Sequence, residues 1–210
     1  MSALDLTLAV AGPISVAGAW VLIRSRRASL WVVNGIFMPV LGTLSLLTGL
    51  VELSSEKIGA GWAVTLGIGA GLGLYAATAA FMAVARRWPV LARHTSALYE
   101  NRRDISLPAA IGISALLVAP GEELLWRGVV LEALRSGTDS AAVAAVLAWL
   151  AYIAANAASG SVPIVLGAVV SGAVWTLLAA CTGAVIASIA CHVVWTALMV
   201  SLPPVPRAVR

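Results

Sequence analysis

Two adjacent carboxylates and a cation stand in one apolar stretch, Ala119-Pro120-Gly121-Glu122-Glu123-Leu124-Leu125-Trp126-Arg127-Gly128. An acid among hydrocarbon costs about 2.5 kcal/mol or more by insertion scales, so its retention there points to a task. On a helix Glu123 and Arg127 are i and i+4 with the acid first, the order that favours an ion pair. Glu122 projects about 100° away and is left without that partner. One carboxylate is then structural and the other is available for chemistry. Two more polar pairs lie one turn apart on later apolar runs: Tyr152 with Asn156, and His192 with Thr196. A carboxylate that takes a proton from water, beside an imidazole that meets a developing oxyanion, is a sufficient kit for hydrolysis without metal. The rival reading, an interfacial turn with all three charges in water, fits poorly with the apolar runs 107–119 and 128–134 on either side. A single His or Asn on a membrane helix also serves as a plain interhelical hydrogen-bonding residue. The argument therefore needs the three positions to meet.

Their levels can be compared from the turns. Ser136 to Asp139 reads as a turn, with Gly137 suited to end one helix and Asp139 to begin the next. Glu122 lies sixteen residues before Thr138 and Asn156 eighteen after it. At 1.5 Å per residue both sit about 24–27 Å from that turn. His192 is nine residues past Gly183, roughly 14 Å from its own turn. If Glu132 to Arg135 projects beyond the bilayer by ~10 Å, the three levels coincide.

The elements that would hold them are membrane helices. Hydrophobic residues make up 61% of the 210 and charged residues 10%, against roughly 25% charged in a soluble domain. Apolar runs cover 3–23, 29–51, 59–85, 107–135, 140–158, 162–180 and 184–202, each long enough to count as a candidate span. The expected fold is all-α, a polytopic bundle of about seven spanning helices. It divides into a three-helix segment 1–85, a basic amphipathic connector 86–106, a four-helix core 107–202 and a tail 203–210. The first run ends in Arg24-Ser25-Arg26-Arg27 and has no Lys or Arg before it, the reverse of a signal peptide's polarity, so it reads as a retained helix.

Twelve of the thirteen cations are Arg, and they fall in short tracts between apolar runs, as topology signals do, which leaves no case for nucleic acid. With seven spans, Arg24, Arg26, Arg27, Arg86, Arg87, Arg93, Arg102, Arg103, Arg207 and Arg210 share one side. Lys57, Arg127 and Arg135 are the remainder. That bias predicts a cell-membrane protein with its N-terminus outside and its C-terminus cytoplasmic. The run Gly67-Ile68-Gly69-Ala70-Gly71-Leu72-Gly73 lacks the order of a nucleotide loop and reads as small-residue helix packing.

Glu122-Glu123-Leu124-Leu125-Trp126-Arg127-Gly128 resembles the EExxxR motif of the CPBP family of intramembrane endopeptidases, which includes the type II CAAX prenyl endopeptidases and bacteriocin-processing relatives. The resemblance extends over about 107–200, in the order of the family's three motifs. It implies that Glu122 is the general base, that Glu123 and Arg127 support it, and that His192 stabilises the oxyanion. Two positions depart from the pattern. The second-motif His is Asn156, four residues after Tyr152, and the Asn or Asp expected after His192 is Thr196. An amide can hold a water and a hydroxyl can donate one hydrogen bond.

The implied substrate is a peptide or membrane-protein chain, lipid-modified or not, reached at the bilayer. The alternative is a family member that has lost catalysis and acts as a membrane-protein-binding, immunity or scaffold protein. A small transporter is the weakest reading, since no inverted repeat is evident. No cofactor is called for, and a divalent metal enters only through the family's label as metalloproteases. The chain has two histidines, with His94 in the connector, so a zinc site would have to be built from His192 and carboxylates. Cys181 and Cys191 read as small buried apolar side chains, and Cys191 diverges from His192 by about 100°, which disfavours a dyad.

Overall fold

The computed structural model describes residues 1–54, 57–85, 87–100 and 104–204. Eight helices are found among the described residues. They are α1 Ala3–Arg24, α2 Leu30–Leu46, α3 Gly59–Ala85, α4 Pro89–Glu100, α5 Leu107–Gly137, α6 Ala141–Ala157, α7 Val162–Thr182 and α8 Val185–Ser201. The fold is an all-α bundle. Four helices (α1, α3, α5 and α7) are long and apolar enough to cross a membrane, while α2, α6 and α8 are apolar but only 17 residues each. Seventeen residues rise about 26 Å, slightly short of a ~30 Å hydrocarbon core. The seven apolar runs are thus seven helices, of which four meet the length of a full span.

Local chemistry sets the ends. Ser2 accepts from Asp5 N–H while the Asp5 carboxylate accepts from Ser2 N–H, a reciprocal box that starts α1. Ser106 and Ser140 cap α5 and α6 by accepting from the third residue on. Gly183 ends α7 at φ 66°, a left-handed conformation that suits glycine. The run 29–51 is helical only to Leu46; the chain beyond it lies across the first turn of α8, where Glu52 O and Leu53 O accept from Val185 N–H and Ile186 N–H. Helix-end donors inside an apolar protein need such partners.

Helix α5 is the axis. Gly121 and every residue from Glu123 to Leu131 are buried, and α1, α2, α6, α7 and α8 all pack against it. It contains two π-helical segments, Gly112–Val118 and Leu124–Val130, in which Ala119 N–H reaches back to Ser114 O and Leu131 N–H to Trp126 O. Pro120 follows the first segment at once. It has no N–H to give, and its ring crowds the preceding turn, so a widened helix accommodates it. At Gly121 a Cβ would come 2.4 Å from Met38 O, so α2 and α5 touch backbone to backbone beside Glu122.

The glycine run of α3 is a packing stripe. A Cβ on Gly67 would meet Ala187 O at 2.3 Å and one on Gly71 would meet Cys191 O at 2.7 Å, whereas Gly69 and Gly73 have open space. This contact makes α3 and α8 the most extensively paired helices. The outer surface is apolar, with Trp62, Val84, Ile14 and Leu177 all exposed. Such a surface suits lipid rather than water.

Arg24, Arg26, Arg27, Arg93 and Ser159 to Ser161 line one cleft. At the other end Ser136 meets Met1, and Glu52 lies against the start of α8. Of the expected connector 86–106, residues 87–100 and 104–106 are described, and most of them form the amphipathic α4. Arg86, Arg102, Arg103, Arg207 and Arg210 lie outside the described residues.

Candidate active site

The buried Glu123 carboxylate is the hub of the polar cluster. Its Oε1 accepts from Arg127 Nη1 at 3.2 Å, the i,i+4 pair read from the sequence, and meets His192 Nδ1 at 2.8 Å. Arg127 also donates from Nη2 to Gly172 O at 3.0 Å and to Thr176 Oγ1 at 3.2 Å. Its guanidinium lies 4.6 Å from the Tyr152 ring centroid and 5.6 Å from that of Trp175. The guanidinium is thus met by hydrogen-bond acceptors and aromatic faces, both of which suit a desolvated cation. Ser188 faces the same carboxylate one turn before His192, but its hydroxyl donates to Val185 O, which leaves Glu123 Oε2 buried and unpartnered.

Glu122 keeps different company. It is half-buried, and its Oε2 accepts from Tyr152 OH at 2.8 Å. Its Oε1 takes part in no hydrogen bond among the described residues. The two carboxylates are thus divided as their spacing implies: one held by Arg127 and His192, the other facing a single phenol.

His192 is 6% exposed and lies flat on Trp175, with ring centroids 3.6 Å apart and planes 16° from parallel. The stacking fixes the ring plane. An ionised Glu123 can only accept, so Nδ1 carries the proton in that bond. In the neutral ring Nε2 is then an acceptor, and it donates to an oxyanion only when the ring is an imidazolium.

The remaining candidates stand apart from Glu122. Asn156 is buried, but both ends of its amide are committed: Nδ2 donates to Tyr152 O at 2.9 Å and Oδ1 accepts from Trp20 Nε1 at 3.1 Å. Tyr152, one turn earlier, is the residue that reaches the acid. The level argument explains the difference. Tyr152 lies fourteen residues after Thr138 and Asn156 eighteen, so Glu122 at sixteen is midway and the longer side chain spans the gap. Thr196 is half-buried and enters none of the cluster's hydrogen bonds among the described residues.

Sequence reasoning passed over Trp20, Gly172, Trp175, Thr176 and Ser188. Thr176, like Ser171, is a polar step in a mostly apolar run, and in the sequence it is indistinguishable from ordinary packing.

The cluster does not fit a metal ion. No three His, Cys, Asp or Glu side chains converge among the described residues, and the Arg127 cation already occupies Glu123 Oε1. Cys191 is buried and Cys181 exposed, and both are free thiols.

No curated protein and no solved structure matches the chain. A family comparison does, over the stretch that contains every residue of this cluster except Trp20: residues 104–198 match the family described as type II CAAX prenyl endopeptidase Rce1-like.

Proposed function

We propose that the chain is an intramembrane endopeptidase of the CAAX-protease type, hydrolysing a peptide bond with water activated by Glu122. The observation that carries this is the unequal pairing of the two acids. Glu123 is held by Arg127 and His192, while Glu122 has one phenolic partner and one free oxygen beside it. A water on Glu122 Oε1 gives its proton to the carboxylate as its oxygen attacks the scissile carbonyl carbon. The carbonyl π electrons move to the carbonyl oxygen, which receives a hydrogen bond from Nε2 of the His192 imidazolium. The tetrahedral intermediate collapses, the C–N bond breaks, and the proton stored on Glu122 passes to the leaving amine. Arg127 and Trp175 take no part in bond making; they hold Glu123 and His192 in place. The substrate is a peptide or membrane-protein chain, with or without a lipid modification, presented at the bilayer.

One observation favours a second reading, a non-catalytic relative that binds membrane proteins as an immunity or scaffold protein. Asn156 stands where the resemblance calls for a His, and both ends of its amide are engaged by Trp20 and Tyr152 rather than by Glu122. Proteolysis of membrane peptides in liposomes by wild type, Glu122→Gln and His192→Ala separates the two. The enzymatic reading expects cleavage by wild type alone. Equal product from all three rejects the assigned site, and none from any of them favours the binding protein.

A further inference from the structure

A second polar site has Trp20 in its lining. The end of α1, the start of α2, helix α4 and the α6–α7 loop enclose a cleft of about 960 Å³. Arg24, Arg26, Arg27 and Arg93 line it, with His94 among them and Glu100 and Asp104 at its edge. Four guanidiniums against two carboxylates leave the cleft cationic. No carboxylate of the described residues forms an ion pair with any of the four. Cations this close repel one another, so an unpaired cluster is a standing cost unless an anion joins it.

Two backbone features hold the arginines in place. Gly160 sits at φ 65°, and a Cβ there would come 3.1 Å from Arg24 Nη1, so the bare glycine lets the guanidinium lie against the α6–α7 loop. Arg26 itself is at φ 57°, the only left-handed non-glycine among the described residues. A side chain in that conformation is strained, and the end of a helix is where glycine would remove the strain. An arginine kept at such a position is kept for its side chain.

The surroundings indicate the kind of anion. The arginines follow directly on the membrane-facing turn of α1, where Val21 and Leu22 are exposed, and Val32 is exposed just past the start of α2. Along the same two helices runs an apolar groove of about 760 Å³, lined by Gly18, Leu22, Val33, Phe37 and Val40 among others. A cationic cleft at a hairpin turn, with an apolar groove along that hairpin's helices, matches a molecule with a charged head and a hydrocarbon chain. Guanidinium forks pair with phosphate oxygens two bonds at a time, and basic pockets between membrane helices hold anionic headgroups.

We propose that the Arg24–Arg26–Arg27–Arg93 cleft binds the phosphate headgroup of an anionic membrane phospholipid, with an acyl chain lying along the α1–α2 groove. This site is independent of whether Glu122 cleaves peptides.

Delipidated full-length protein in neutral detergent, titrated with phosphatidylglycerol or phosphatidylcholine and read by native mass spectrometry, tests it. The expected result is one phosphatidylglycerol per chain, bound at least tenfold more tightly than phosphatidylcholine. The Arg24→Gln/Arg93→Gln double variant should lose that preference by tenfold or more, while Arg87→Gln, at an exposed arginine outside the cleft, should keep it. Arg26→Gly guards against misfolding: relief of the left-handed strain should hold or raise the melting temperature, while affinity falls at least threefold. Equal binding of the two lipids would overturn the proposal. So would equal losses in Arg87→Gln and the double variant, which mean attraction to basic surface in general. Complete displacement by millimolar inorganic phosphate would also overturn it, since that marks a site for a soluble anion.

Discussion

Tyr152 and Arg127 each touch one of the two acids, and removing them should have opposite consequences. Tyr152→Phe deletes the hydroxyl that donates to Glu122 and keeps the ring packed against Trp126 and Arg127. One hydrogen bond is worth about 1.5–3 kcal/mol when its acceptor is charged. Peptide cleavage should therefore fall roughly 10- to 150-fold with the melting temperature nearly unchanged; an unaltered rate would remove Tyr152 from the account. Arg127→Ala instead leaves Glu123 buried with only His192 beside it. Breaking a buried pair by removing one partner costs about 3–5 kcal/mol, so this variant should show a large loss of thermal stability in detergent. A melting temperature equal to wild type would mean that the pair does not hold the bundle together. The local i,i+4 pairing of Glu123 and Arg127 could be read from the chain because helix geometry alone dictates it. That His192 meets Glu123 and that Tyr152 meets Glu122 could not, since those contacts depend on how α5, α6 and α8 are rotated against one another.

The helices themselves were legible because hydrophobicity in a membrane protein marks element length directly. Six of the seven runs end within two residues of the helices found; the exception, 29–51, is helical only to Leu46, and the chain after it runs on to Glu52 and Leu53, whose carbonyls accept from the start of α8. The two π-helical segments of α5 left no such mark. Each widens a turn beyond the 3.6 period on which face assignments rest, so the rotation of Trp126 and its neighbours was hidden. The glycine stripe of α3 gives a test at this scale. Gly71→Ala drives a methyl group against Cys191 O, the residue beside His192. Overpacking of this kind costs about 1–3 kcal/mol, and a shifted α8 should lower cleavage as well as stability. Gly69→Ala, which meets nothing within 4 Å, should be neutral or more stable by up to about 1 kcal/mol. Equal effects of the two substitutions on stability would contradict the packing of α3 on α8.

Across the whole molecule, an up-and-down bundle puts alternate turns on opposite sides of the bilayer. Ser25 and Ser159 belong to the Arg-rich end, and Thr138 to the end that holds Met1. In a background with Cys181→Ser, single cysteines at Ser25 and Ser159 should react with an impermeant maleimide from the same face, and one at Thr138 from the opposite face. The excess of arginine predicts that the Ser25 face is cytoplasmic. Labelling of all three from one side would break the topology. This frame gives Glu122 its meaning, because the acid on the most buried helix accepts a hydrogen bond from the Tyr152 phenol, while the acid next to it in sequence is held against the His192 imidazole. The measurement that bears most directly on it is the rate of appearance of new peptide termini, followed by mass spectrometry, when a membrane-peptide library is incubated with liposomes carrying either wild type or Glu122→Gln. A general base contributes about 10²–10⁴-fold, so the account predicts termini from wild type and at least a hundredfold fewer from a Glu122→Gln protein of equal melting temperature. Equal rates from the two proteins would contradict it.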